Sequence, residues 1–134
     1  MKLLYIDKNS GIHVSRGDSA ALSTQPEKVM EDGTSEPIIL DENSCVIFTV
    51  KSRYSGNTLI KRILTAADYV DGVLTFCILP EETDFTPNGY EYSFMYIPDM
   101  TSPDKAYTYA QGEFEIMHSV SRVSDLEGDD YGNN

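Results

Sequence analysis

Almost everywhere that this sequence is apolar it alternates with a period of two, and the runs are punctuated by Gly, Pro, Asn and Asp. A period of two fits a half-buried strand and no helix, because successive Cβ atoms of a strand point to opposite faces. In the run from Cys45 to Lys51, Val46, Phe48 and Val50 make the expected core face, while Cys45, Ile47, Thr49 and Lys51 make the other. Val73 to Leu79 repeats the pattern with Leu74, Phe76 and Ile78, and Tyr90 to Ile97 with Tyr90, Tyr92, Phe94 and Tyr96. Thr58 to Leu64 is less sharply amphipathic, with Leu59 and Ile63 on one side and Ile60, Arg62 and Leu64 on the other, which suits a sheet edge. The last strand, Lys105 to Ser119, turns Phe114 and Ile116 inward and is expected to bend or bulge at Gly112.

Between these runs the sequence predicts connectors. Thr65 to Asp68 has the form of a helix start, but Asp71-Gly72 follows too soon for more than one helical turn. Pro80 to Gly89 reads as a turn-rich loop and Pro98 to Pro103 as a turn. Near the N-terminus, Ile12 and Val14 mark one short strand and Ala21 and Leu22 another, and the polar stretch from Thr24 to Pro37 reads as an insertion loop. About seven short strands with no helical periodicity predict an all-β, two-sheet antiparallel sandwich, with a closed barrel second. The expected organisation is a lead-in over 1–10, a sandwich domain over 11–121 and an acidic tail over 122–134. That tail has almost nothing apolar to order it.

The charge narrows the partners. With 22 acidic against 10 basic side chains the net charge is -12, and the longest basic cluster is Lys61-Arg62. Such a surface repels nucleic acid, whose phosphates reward basic stripes. No run of about 18 apolar residues is present, and Asp7 and Lys8 interrupt the Met1 to Ile6 stretch too early for a signal peptide, so a soluble chain made in the cytoplasm is expected. Cys45 and Cys77 are too few for a disulfide scaffold and lack metal or redox spacing; they read as free thiols, with a cross-strand disulfide as the alternative in an oxidising space.

No catalytic, cofactor or metal residue is assigned. A hydroxyl or thiol nucleophile needs a base within reach, and only His13 and His118 are on offer, both read as sheet-rim histidines. Glu81, Glu82 and Asp84 form the densest acidic group, read as a solvated loop because nothing nearby would desolvate one of them. The segment from Asp125 to Asp130 has its glycine at the wrong position for a calcium loop. Arg16-Gly17-Asp18 spells an integrin-type tripeptide, but Gly and Asp are also what a tight turn requires. The Tyr90 to Tyr96 face is read as core, with a carbohydrate-stacking platform as the competing role. Recognition by the loop from Glu27 to Glu36 is weighed against a tolerated insertion.

A set of short motifs resembles a known family. They are Arg16-Gly17-Asp18-Ser19-Ala20-Ala21-Leu22, the strand Val46 to Lys51, Gly72 to Ile78 followed by Pro80-Glu81-Glu82-Thr83, Pro87-Asn88-Gly89-Tyr90-Glu91-Tyr92-Ser93-Phe94, and Gly112-Glu113-Phe114-Glu115-Ile116. Over about Ile12 to Val120 the chain resembles the immunoglobulin-like domain of phage baseplate upper proteins. The resemblance implies an immunoglobulin-like sandwich and a non-enzymatic structural role in a virion tail, with other tail or baseplate proteins, and further copies of the chain, as partners. The Thr24 to Pro37 stretch is longer and more acidic than the family pattern, and no coiled-coil or receptor-binding region is expected after the domain. The alternative is a bacterial surface or carbohydrate-binding sandwich module.

Overall fold

The computed structural model describes residues 4–6 and 11–118, and the alternating runs of the sequence become its strands. In chain order they are β1 (Leu4–Ile6), β2 (Ile12–Ser15), β3 (Ala20–Thr24), β4 (Glu27–Val29), β5 (Ser35–Pro37), β6 (Cys45–Ser52), β7 (Thr58–Leu64), β8 (Tyr69–Val70), β9 (Val73–Ile78), β10 (Asn88–Ile97) and β11 (Tyr107–Met117). One helical turn, α1 (Pro80–Thr83), lies between β9 and β10. A six-stranded sheet runs in the order β1-β2-β11-β10-β6-β7, a second sheet in the order β3-β9-β8, and β4 and β5 pair alone.

The two larger sheets share one core. Val46, Phe48, Val50, Tyr92, Phe94, Phe114 and Ile116 from the first meet Leu22, Leu74, Phe76 and Ile78 from the second, all buried. Phe48 sits at the centre, its ring 5.0 Å from Phe76 across the sandwich and 4.8 Å from Phe94 on the adjacent strand. Each such side chain withdrawn from water contributes about 1.5–3 kcal/mol, which is why the alternation dictates the face. β6, β10 and β11 in one sheet, extended by β7, opposite β3, β9 and β8 in the other, is the strand arrangement of an immunoglobulin-like sandwich.

Several expectations are refined. There are more strands than seven, because β1, β4, β5 and β8 are too short to register as alternating runs. One neighbour pair, β2 with β11, is parallel, whereas the sheets are otherwise antiparallel. The lead-in contains β1, which pairs with β2 at the sheet edge. The Thr24 to Pro37 stretch is a β-hairpin, closed by Met30 N–H to Thr34 O (2.7 Å) with Gly33 at φ 88°. In its turn the Thr34 hydroxyl and amide both donate to Asp32, holding that carboxyl below its ordinary range. Pro80 to Gly89 opens with α1. The tail over 122–134, including the Asp125 to Asp130 segment, lies outside the described residues.

The bulge of the last strand is at Tyr109 and not at Gly112. Phe94 faces Ala110 and Met95 faces Thr108, so Tyr109 is the extra residue, while Gly112 pairs regularly with Tyr92. The insertion switches parity: Tyr107 and Tyr109 pack against the core before it, and Ala110, Phe114 and Ile116 after it. A second extra residue, Leu59, sits where Val50 faces Ile60 and Lys51 faces Thr58. Thr65 caps a single 3-10 turn over Ala66–Asp68, as the connector reading requires. Asp71 (φ 52°) and Gly72 (φ 83°) then close the β8–β9 hairpin, both in the left-handed region that a two-residue turn demands.

Candidate docking face

The outer face of the six-stranded sheet is built in rows, because register places one residue of each strand opposite the next. Thr108, Met95, Ile47 and Ile63 make an apolar-rich row across β11, β10, β6 and β7. Gln111, Ser93, Thr49 and Lys61 make a second, and Glu113, Glu91, Lys51 and Thr58 a third. Ser93 and Thr49 put short side chains at the centre of the middle row, and all three rows contribute to the lining of an open trough of about 1150 Å³.

This face departs from the rest of the molecule in charge. Lys51, Arg53 and Lys61 stand against Glu91, Glu113 and Glu115, three against three, on a chain with 10 basic and 22 acidic residues. The signs are segregated: the cations belong to β6, its following turn and β7, and the carboxylates to β10 and β11. Arg53 bridges the halves, its Nη2 donating to Glu113 Oε1 at 3.1 Å with Glu91 at 3.9 Å. Among the described residues no carboxylate lies within 4.0 Å of the Lys51 or Lys61 ammonium. Ile63 is 57% exposed and Met95 37%, so part of the apolar row meets water.

The residues weighed for chemistry are dispersed. His13 contacts Glu115 (Nδ1 to Oε1, 2.7 Å) on the outer face, while His118 is exposed just beyond β11. Cys45 and Cys77 are both free. Cys77 points outward, but Cys45 is buried and its thiol is pushed up by desolvation, contrary to the outward face that parity predicts. The reason lies at the strand end, where the turn after β10 folds back on the residues before β6 and Met100 N–H donates to Asn43 O at 2.8 Å. Among the described residues no group of three His, Cys, Asp or Glu side chains could hold a metal ion, and no helix is long and apolar enough to cross a membrane.

The acidic group on α1 proves to be a junction. Glu82 pairs with Arg62 of β7 and accepts the Leu79 amide at 2.8 Å, while Arg62 also donates to Cys77 O at 2.9 Å. Asp84 accepts from Arg16 Nε at 3.0 Å. The Arg16-Gly17-Asp18 turn is thereby fastened: Gly17 (φ 80°) donates to Thr83 O at 3.3 Å, and the wholly buried Thr83 hydroxyl donates to Asp18 O at 2.8 Å. An arginine held in this way is not displayed as a free ligand. Tyr90, Tyr92 and Phe94 are core, and the hairpin that holds Glu27 and Glu36 is exposed and stands apart from the trough.

Fold and surface together define an immunoglobulin-like β-sandwich with one sheet face left open. No protein-family model matches the sequence, and a search of curated proteins found no match.

Proposed function

We propose that this chain is a non-enzymatic structural protein of a phage or prophage tail, a baseplate-type module that assembles through protein–protein contacts made by its open sheet face. The single observation that carries docking is the trough: a partly apolar surface lined by three cations and two carboxylates on a strongly acidic chain, in a position where a rigid sheet holds its side chains in fixed rows. The tail assignment is supported by the run of motifs from Arg16 to Ile116 and by the sandwich they build. A carbohydrate-binding module calls for an exposed aromatic platform, and the aromatic face of β10 is spent on the core. The test is mass spectrometry of purified particles from an induced culture of the source strain. A fixed ratio of this chain to known tail proteins is expected; complete particles lacking it overturn the tail reading.

A further inference from the structure

We propose that the open face of the six-stranded sheet binds a second copy of the same chain about a two-fold axis that runs parallel to the strands, midway between β6 and β10. This rests on the reading of that face as a docking surface and names its occupant. Rotation about such an axis exchanges left for right but keeps every row at its own height. The β6–β7 half, with its cations, then lies over the β10–β11 half of the other copy, with its carboxylates. Lys51 meets Glu91 of the second copy, Thr49 meets Ser93, and Ile47 meets Met95; farther out, Lys61 meets Gln111 and Ile63 meets Thr108. Each contact occurs twice.

The alternative axis, perpendicular to the strands, lays the charged row over the apolar one and strands Lys51 and Glu91 against Ile47 and Met95, at a desolvation cost without compensation. Charge also argues for a copy over other partners. A basic partner would find attraction all over a chain of net charge -12 and has no reason to choose this face, whereas two such chains, which repel overall, repel least where cations and carboxylates are matched. A second copy brings its Glu91 into register with Lys51, at two symmetric points. The hydroxyl-lined middle row remains wet, as protein interfaces commonly are.

The experiment is sedimentation equilibrium of the full chain at about 0.15 M salt, which screens the overall repulsion between two acidic chains, up to roughly 1 mM, a range suited to a modest interface. The wild-type mass is expected to rise from 15.0 kDa toward twice that value. K51E and E91K each place like charges face to face at two symmetric points, and each weakens association by about tenfold or more. The double variant K51E/E91K restores it. Mixing the two single variants in equal amounts also restores it, because each chain then meets the opposite charge across the axis. Since Lys51 also neighbours Glu91 within one chain, this mixture is decisive: it leaves each chain's internal clash in place and repairs only the contact between chains. A wild type that stays at 15.0 kDa throughout, or a mixture no better than its components, overturns the proposal. Loss of the dimer with the chain still present in particles sinks this inference alone; a dimer in solution with particles lacking the chain sinks the tail assignment alone.

Discussion

Replacing Thr83 with Val tests how the Arg16 turn is held. Valine matches threonine in shape, so no cavity opens, and the change removes only the hydroxyl that donates to Asp18 O at 2.8 Å and Pro80 O at 3.2 Å. A buried bond of this kind contributes about 1 kcal/mol net, and a carbonyl left without its donor raises the cost of truncation to about 1–3 kcal/mol. With roughly 1.5 kcal/mol lost and an m of about 1.5 kcal/mol/M, the urea midpoint falls by about 1 M. Tyrosine fluorescence or far-UV circular dichroism reports it, since the chain has nine Tyr and no Trp. The turn also loosens locally, so trypsin cuts after Arg16 faster than in wild type at a urea concentration where both remain folded. A variant within about 0.5 kcal/mol of wild type, with unchanged cleavage at Arg16, would refute the account of α1 as the clasp of this turn.

Three further outcomes follow from the same geometry. Phe48→Ala, at the wholly buried centre of the ring cluster, is expected to cost about 3–5 kcal/mol in chemical denaturation, and a loss below about 1 kcal/mol would mean the sheets do not pack there. Thiol titration of the folded chain should show Cys77 reacting quickly and Cys45 only on unfolding; two fast thiols would contradict the burial of Cys45. Desolvation pushes Tyr109 up from 10 to about 12, against the opposing hydrogen bond from Thr24. Its neutral form is therefore favoured by folding, so the stability it contributes is complete below pH 10 and is lost as pH rises through 12. Ultraviolet titration of Y109F against wild type checks this: a missing late-titrating phenol is expected, and an unchanged titration curve would reject it.

Much of the fold was readable because burial enforces parity. Val46, Phe48 and Val50, or Leu74, Phe76 and Ile78, fall on one face by sequence alone and are the core in the structure. The bulge was readable only in part. Inward residues are odd-numbered at Tyr107 and Tyr109 and even-numbered at Phe114 and Ile116, so one extra residue must lie between, but the flexible Gly112 draws the reading three residues too far. The β4–β5 hairpin escaped because its strands are three residues each, too short for an alternation to be detected. The docking face was hidden for another reason: its rows depend on register between strands distant in sequence, and no local pattern sets Lys51 beside Glu91 or Ile47 beside Met95.

The parallel pairing of β2 with β11 carries a consequence for biosynthesis. His13 and Glu115 touch although 102 positions separate them, so β2, which has β1 beside it from the start, waits for β11 before it gains its neighbour on the inner side of the sheet. A ribosome delivering about 5–20 residues per second keeps β2 without its β11 partner for several seconds. Closing so distant a contact is also slow in itself. The nascent chain thus exposes Ile12 and Val14 until nearly all of the described residues have emerged, which makes this interval the one in which a chaperone, or premature pairing with another chain, has its opportunity.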